Sequence, residues 1–239
     1  MNKELLINEL NKLNINLSTN QIKQIDEFCK FLLAENKKYN LTAIKTYEEI
    51  LLKHVYDSLT IVQAIDLKEG KSLLDIGSGA GFPGIILKIV FPHLQVTLLD
   101  SNHKKTNFLE LVKKQLKLNN LEIINKRAED YIKNKRETYD LVTARAVANL
   151  NILIELAIPF LKINGLFIAM KGNIEEEIKS SNDVCPLLNC NIQKIIKFTL
   201  PIENSNRSLI IIEKLEKTKK EYPRAYSTIM KKPLKKSGK

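Results

Sequence analysis

Residues 74–84 read Leu-Asp-Ile-Gly-Ser-Gly-Ala-Gly-Phe-Pro-Gly, and no other stretch narrows the choice of folds so far. The apolar run at 72–76 in front of it predicts a buried strand, and Pro83 suits the first turn of a helix behind it. Glycines between a strand and a helix let the backbone turn tightly and approach a ligand closely. A lone G-x-G-x-x-G is a weak sign. Here Asp75 precedes Gly77, Gly79 and Gly81, and Asp100 ends the next apolar run, 23 residues after Gly77. An acid at that place accepts hydrogen bonds from both hydroxyls of an adenosine ribose.

Three cofactors carry such a ribose. NAD needs its pyrophosphate on the helix N-terminus, usually with G-x-G-x-x-G/A, and Phe82 at the sixth position would crowd it. ATP needs G-x-x-x-x-G-K-[ST], which the chain lacks. S-adenosylmethionine has no phosphates, and D-x-G-x-G-x-G fits it. It is the expected cofactor, with its adenine near the backbone of Ala128 and Glu129, which follow the third strand.

The remaining pattern predicts the sheet. Short apolar runs at 72–76, 95–100, 121–125, 139–143 and 165–170 alternate with helical segments, among them 103–118 and 150–161. That alternation means a parallel sheet covered on both faces. Two further runs, 192–200 and 208–213, are separated too briefly for a crossover helix and pair antiparallel. The expected fold is therefore α/β: a class I S-adenosylmethionine-dependent methyltransferase (Rossmann-like) sheet of five parallel strands plus an antiparallel hairpin. Three parts are expected: an N-terminal helical extension packed on the core (1–66), a methyltransferase domain (67–214) and a basic C-terminal tail (215–239). In the extension, Ser18 or Thr19 is the N-cap of a helix, and Thr46 with Glu49 opens another that runs to about Ile65.

The formal net charge of +11 is concentrated in the tail, since residues 214–239 hold ten Lys/Arg against two Glu. The body is close to neutral and the tail, polar and weakly ordered from Lys217 onward, points to a polyanionic partner. Three scattered cysteines, Cys29, Cys185 and Cys190, suggest reduced thiols rather than a disulfide framework or a zinc site. Neither a secretory leader nor an apolar run long enough to span a bilayer is read, so a cytoplasmic protein with no membrane association is expected.

At the carboxyl edge of the sheet, where open α/β folds bind ligands, Arg145 closes the fourth strand and Lys171 the fifth. What is missing there narrows the acceptor. The N/D-P-P-Y of amino-nitrogen base methylases is replaced by Ala-Arg-Ala, and no cysteine stands where cytosine-C5 methylases need a nucleophile. His54, His93 and His103 form no readable triad. A good nucleophile with no proton to lose is expected, and guanine N7 is one: its in-plane lone pair attacks a sulfonium methyl directly, without a general base. A small-molecule methyltransferase with a helical lid, or a non-catalytic RNA-binding module, stays open on residue grounds.

Nearly the whole chain resembles the RsmG (GidB) family of bacterial 16S ribosomal RNA guanine-N7 methyltransferases. The resemblance rests on residues 39–42 (Tyr-Asn-Leu-Thr), 53–58 (Lys-His-Val-Tyr-Asp-Ser), 74–84, 98–101 (Leu-Leu-Asp-Ser), 127–129 (Arg-Ala-Glu), 144–146 (Ala-Arg-Ala) and 170–172 (Met-Lys-Gly). It implies that Gly77, Phe82, Ala128, Glu129 and Arg145 hold S-adenosyl-L-methionine. Gly79 belongs to the same loop, Asp100 would hold the ribose, and Arg145 is also the candidate for positioning the acceptor. Arg127, Lys171 and Arg207 would lie near RNA, and no metal is implied. The partner implied is 16S ribosomal RNA or the small ribosomal subunit, with no obligate protein partner. Residues 222–224 keep the Tyr-Pro-Arg common in the family's tail, but the Gly and Pro that usually follow are gone.

Overall fold

The computed structural model describes residues 1–67 and 70–234. Its sheet has seven strands in the order β3-β2-β1-β4-β5-β7-β6. They are β1 (Ser72–Ile76), β2 (Gln95–Asp100), β3 (Leu121–Asn125), β4 (Tyr139–Arg145), β5 (Leu161–Lys171), β6 (Cys190–Thr199) and β7 (Asn206–Lys214). The first five pair parallel, and β7 runs antiparallel to both β5 and β6. Leu74 of β1 sits between Thr97 and Val142, which brings the carboxyl ends of β1, β2 and β4 to one edge. This is the fold of class I methyltransferases, as the alternating pattern predicts.

On one face lie α1 (Lys3–Lys12), α2 (Thr19–Tyr39), α3 (Tyr47–Ile50), α4 (Asp57–Leu59), α5 (Gly84–Val90) and α6 (His103–Gln115). Leu10, Leu32, Leu59, Ile85 and Leu98 are fully buried in one cluster there, so the N-terminal helices and that face of the sheet share a core. Ser18 caps α2 reciprocally: its Oγ accepts from the Gln21 amide and its own amide donates to Gln21 Oε1. The other face carries α7 (Ala128–Tyr131), α8 (Leu150–Ala157) and α9 (Glu175–Asn182).

Two expectations need correction. The helix opened by Thr46 does not run evenly to Ile65. Between α3 and α4 it widens into a π-helical stretch, Leu51–Tyr56, and after α4 it tightens into a 3-10 turn, Thr60–Gln63. A π-bulge rotates the side chains beyond it relative to those before it and is frequent at functional sites.

The tail is also ordered through most of its length. Arg136 donates to the carbonyls of Thr218, Lys219 and Tyr222. Arg224 forms a paired fork with the buried carboxylate of Glu155 at 2.8 and 2.7 Å. Ile229, in the short helix α10 (Tyr226–Lys231), is fully buried in the second cluster. Residues 235–239 of the expected tail lie outside the described residues. Among those that are described, no helix is long and apolar enough to cross a membrane.

Candidate active site

The glycine loop is built by backbone conformations that side chains resist. Gly77 and Gly81 sit at φ of 68° and 99°, in the left-handed region that glycine enters without steric cost. The Gly77 amide donates to Leu99 O at 2.7 Å, and Ser78 Oγ donates to Asp75 O at 2.9 Å, which locks the loop to the ends of β1 and β2. Asp100 faces the loop. Its Oδ2 accepts from the Gly79 amide at 2.9 Å and its Oδ1 from the Asn102 amide at 2.8 Å. Asp75 is completely buried, with Oδ2 accepting from the Gly84 amide at 3.0 Å and Oδ1 without a partner. Burial pushes its carboxyl up to about 7.

Two cavities open at this edge of the sheet. The first, about 270 Å³, is lined by Gly77, Asp100, Arg127, Ala128, Glu129, Val147 and Tyr226 among others. A carboxylate, the start of α7 and a glycine lining one cavity are what an adenosine moiety requires. The unpartnered Asp75 Oδ1 adds a buried acceptor beneath the loop. Val147 lies directly across Gly77: a Cβ placed there would come 2.5 Å from Val147 Cγ2.

The second cavity, about 350 Å³, is lined by Lys53, His54, Asp57, Arg145, Lys171, Phe198 and Arg207 among others, and Ala146 lines both cavities. Arg145 organises it. Its Nη1 donates to Lys53 O at 2.9 Å and to Asp57 Oδ2 at 3.1 Å, and its Nη2 lies 2.9 Å from His54 Nδ1. Nδ1 also lies 3.1 Å from Lys53 O, so it sits between a donor and an acceptor, and Nε2 lies 2.9 Å from Thr42 Oγ1. Burial, and secondarily Arg145, hold the His54 pKa down to about 3, so the ring is neutral at physiological pH. The ring stacks on Phe82 at 4.3 Å, and the Arg145 guanidinium lies 5.4 Å from the Phe82 centroid. Asp57 Oδ1 also accepts from Arg207 Nε at 3.1 Å, so one buried carboxylate bridges two arginines.

The residues expected at the site are thus divided. Gly77, Asp100, Arg127, Ala128 and Glu129 line the first cavity. Gly79 enters through its amide on Asp100. Arg145, Lys171 and Arg207 line the second. The Phe82 side chain is buried between Phe28 and His54. Lys171 points inward, bonding Ala148 O at 2.6 Å and Glu177 at 2.8 Å. Sequence reasoning gave no role to the side chains of His54, Asp57, Val147 or Tyr226. Lys53, His54 and Asp57 share a helical spacing that hints at one face; nothing local signals Tyr226. Among the described residues, no group of three or more His, Cys, Asp or Glu side chains is placed to hold a metal ion.

Solved structures with the same fold include M. jannaschii TYW2 in complex with AdoMet, at a TM-score of 0.52 and 16% identity over 62% of this chain and 71% of that one. TrmN from Thermus thermophilus matches at a TM-score of 0.53 and 14% identity, over 66% and 48%. Sequence relatives are far more similar. The Ribosomal RNA small subunit methyltransferase G of Fusobacterium nucleatum is 45% identical over 225 residues, 94% of this chain and 97% of its own. That of Bacillus subtilis is 41% identical over 237 residues, 98% and 99%. The family profile described as rRNA small subunit methyltransferase G matches residues 21–217. With fold, loop and full-length similarity in agreement, the chain belongs to the rRNA small subunit methyltransferase G (GidB) family.

Proposed function

We propose that this chain transfers a methyl group from S-adenosyl-L-methionine to N7 of one guanine in 16S ribosomal RNA, and that no side chain acts as general base. The observation that carries this reading is the pair of cavities sharing Ala146 at the end of β4. One offers a ribose-type carboxylate, and the other is cationic and holds no free base.

Bound in the first cavity, the cofactor supplies an electrophilic methyl on a sulfonium sulfur. Asp100 accepts the ribose hydroxyls, Ala128 and Glu129 border the adenine, and the glycine loop lets the backbone close on the amino-acid portion. In the second cavity Arg145 and Arg207 orient the RNA, and Lys53 and Lys171, paired with carboxylates in the free chain, would exchange those partners for phosphate or base carbonyl oxygens. Phe198 offers an aromatic surface to an unstacked base.

The N7 lone pair lies in the ring plane and needs no deprotonation. The chain's task is to hold that plane facing the methyl and to tolerate the positive charge that forms on the base. The charge of Asp57 is already shared by Arg145 and Arg207; the positive charge gained by the base is the one that the sulfonium sulfur loses. His54 is unsuited to remove a proton: both ring nitrogens are already engaged, Nδ1 with Arg145 and Lys53 O and Nε2 with Thr42.

Two measurements test the reading. Nucleoside analysis of 16S ribosomal RNA from cells lacking the protein should show the loss of one 7-methylguanosine; an unchanged content contradicts it. Any limb of the kcat–pH profile near 7 should disappear in Asp75→Asn, whereas a limb rising tenfold per unit that survives there would reveal a general base.

A further inference from the structure

The C-terminal segment reaches the first cavity. Tyr226, the first residue of α10, lines it together with Asp100, Ala128 and Glu129, although it lies about a hundred residues further along the chain. The Arg127 guanidinium sits 5.2 Å from the centre of the Tyr226 ring, a cation–π pairing of two residues that both line the cavity. Anchors flank the ring closely. Arg224 donates to Glu155 through Nε, Nη2 and, at 3.0 Å, its own amide, and Ile229 is fully buried. Arg136 pins the chain just upstream through three carbonyls. An exposed aromatic would not need to be fixed from both sides. This one is held beside the carboxylate and backbone that suit a nucleoside.

We propose that Tyr226 is a cofactor-positioning residue: with Arg127 it forms a wall of the nucleoside pocket, and its ring packs on the adenine. The inference rests on the S-adenosylmethionine reading above and deepens it. The tail is then part of the cofactor site, in addition to any affinity it lends for phosphate. Aromatic stacking tolerates either face of a purine and is lost with the ring rather than with the hydroxyl.

The test is calorimetric titration of the full chain with S-adenosylmethionine and, separately, with 5′-methylthioadenosine, which lacks the amino-acid portion. Tyr226→Ala should weaken both by about tenfold, and Tyr226→Phe should hold both within about twofold of the parent. In turnover, Tyr226→Ala should show the loss as a KM for S-adenosylmethionine raised by a similar factor. Thermal melts confirm that the variants are folded. Unchanged affinity in Tyr226→Ala overturns the inference. So does a loss confined to S-adenosylmethionine, which would put the ring away from the nucleoside, or a Phe variant as weak as the Ala variant. If the parent chain binds neither ligand, the functional reading itself fails, an outcome distinct from the others.

Discussion

Arg145 makes its polar contacts to the helical stretch at 53–57 rather than to the glycine loop, so its removal acts on the fold as well as on the chemistry. Arg145→Ala would leave Asp57, 4% exposed, with Arg207 as its one remaining arginine. Breaking a buried ion pair from one side costs about 3–5 kcal/mol. Urea unfolding should show a loss of that order along with lost methyl transfer; full activity would remove Arg145 from the mechanism. Two other buried groups set the acid response. His54 is held down to about 3 from 6.5, so the unfolded chain binds a proton that the folded chain refuses, and stability falls as pH drops through that window. Asp75 runs the other way. Raised from 3.8 to about 7, it favours the folded state at low pH and loses that contribution as pH rises. Between 3.8 and 6.5 the two slopes oppose each other. Asp75→Asn removes one, so on acidification across that window the variant should lose about 1.4 kcal/mol per unit more than the parent. Parallel stability curves would show that Asp75 titrates as an ordinary carboxylate.

At the level of elements, what could be read in the sequence was what local chemistry decides. Alternating apolar runs give the strands, the glycines of 77–81 give the loop, and the short gap after β6 gives the antiparallel hairpin. What could not be read depends on distant partners. The π-helical stretch at Leu51–Tyr56 differs from an α-helix by a small change in winding, and it turns Lys53 and His54 to Arg145, 92 and 91 residues away. The tail looks polar and weakly ordered because its order comes from Glu155, 69 residues from Arg224, and from Arg136, 86 residues from Tyr222. Its charge also misleads, since Arg224 is spent on an internal carboxylate. Arg224→Ala should therefore free the segment. Trypsin cleavage at Lys219 or Lys220 should run about tenfold faster, as expected for a local opening made about 1.4 kcal/mol easier. An unchanged rate would mean that Arg136 alone holds it.

Across the whole molecule, charge and chemistry occupy different places. The tail from 215 onward carries nine of the 38 Lys/Arg, while the second cavity gathers its own cations, Lys53, Arg145, Lys171 and Arg207. Phosphate contacts give affinity without choice of base. The exposed Lys231 and Lys232, just after the docked part of the segment, are suited to that role. Replacing both with Ala should lower the salt slope of RNA binding by about two and leave the methylated position unchanged. An unaltered slope would make them bystanders. On the proposed reading, selection of the base falls to the cavity at the end of β4 and β5, where a neutral histidine, two arginines on one carboxylate and the cofactor loop meet. The most direct test incubates the full chain with S-adenosylmethionine labelled on its methyl and small ribosomal subunits from cells lacking the protein. One label per particle, at N7 of a single guanine of 16S ribosomal RNA, is the expected result; label on an exocyclic amine, a ribose or another RNA, or no label at all, would contradict the account.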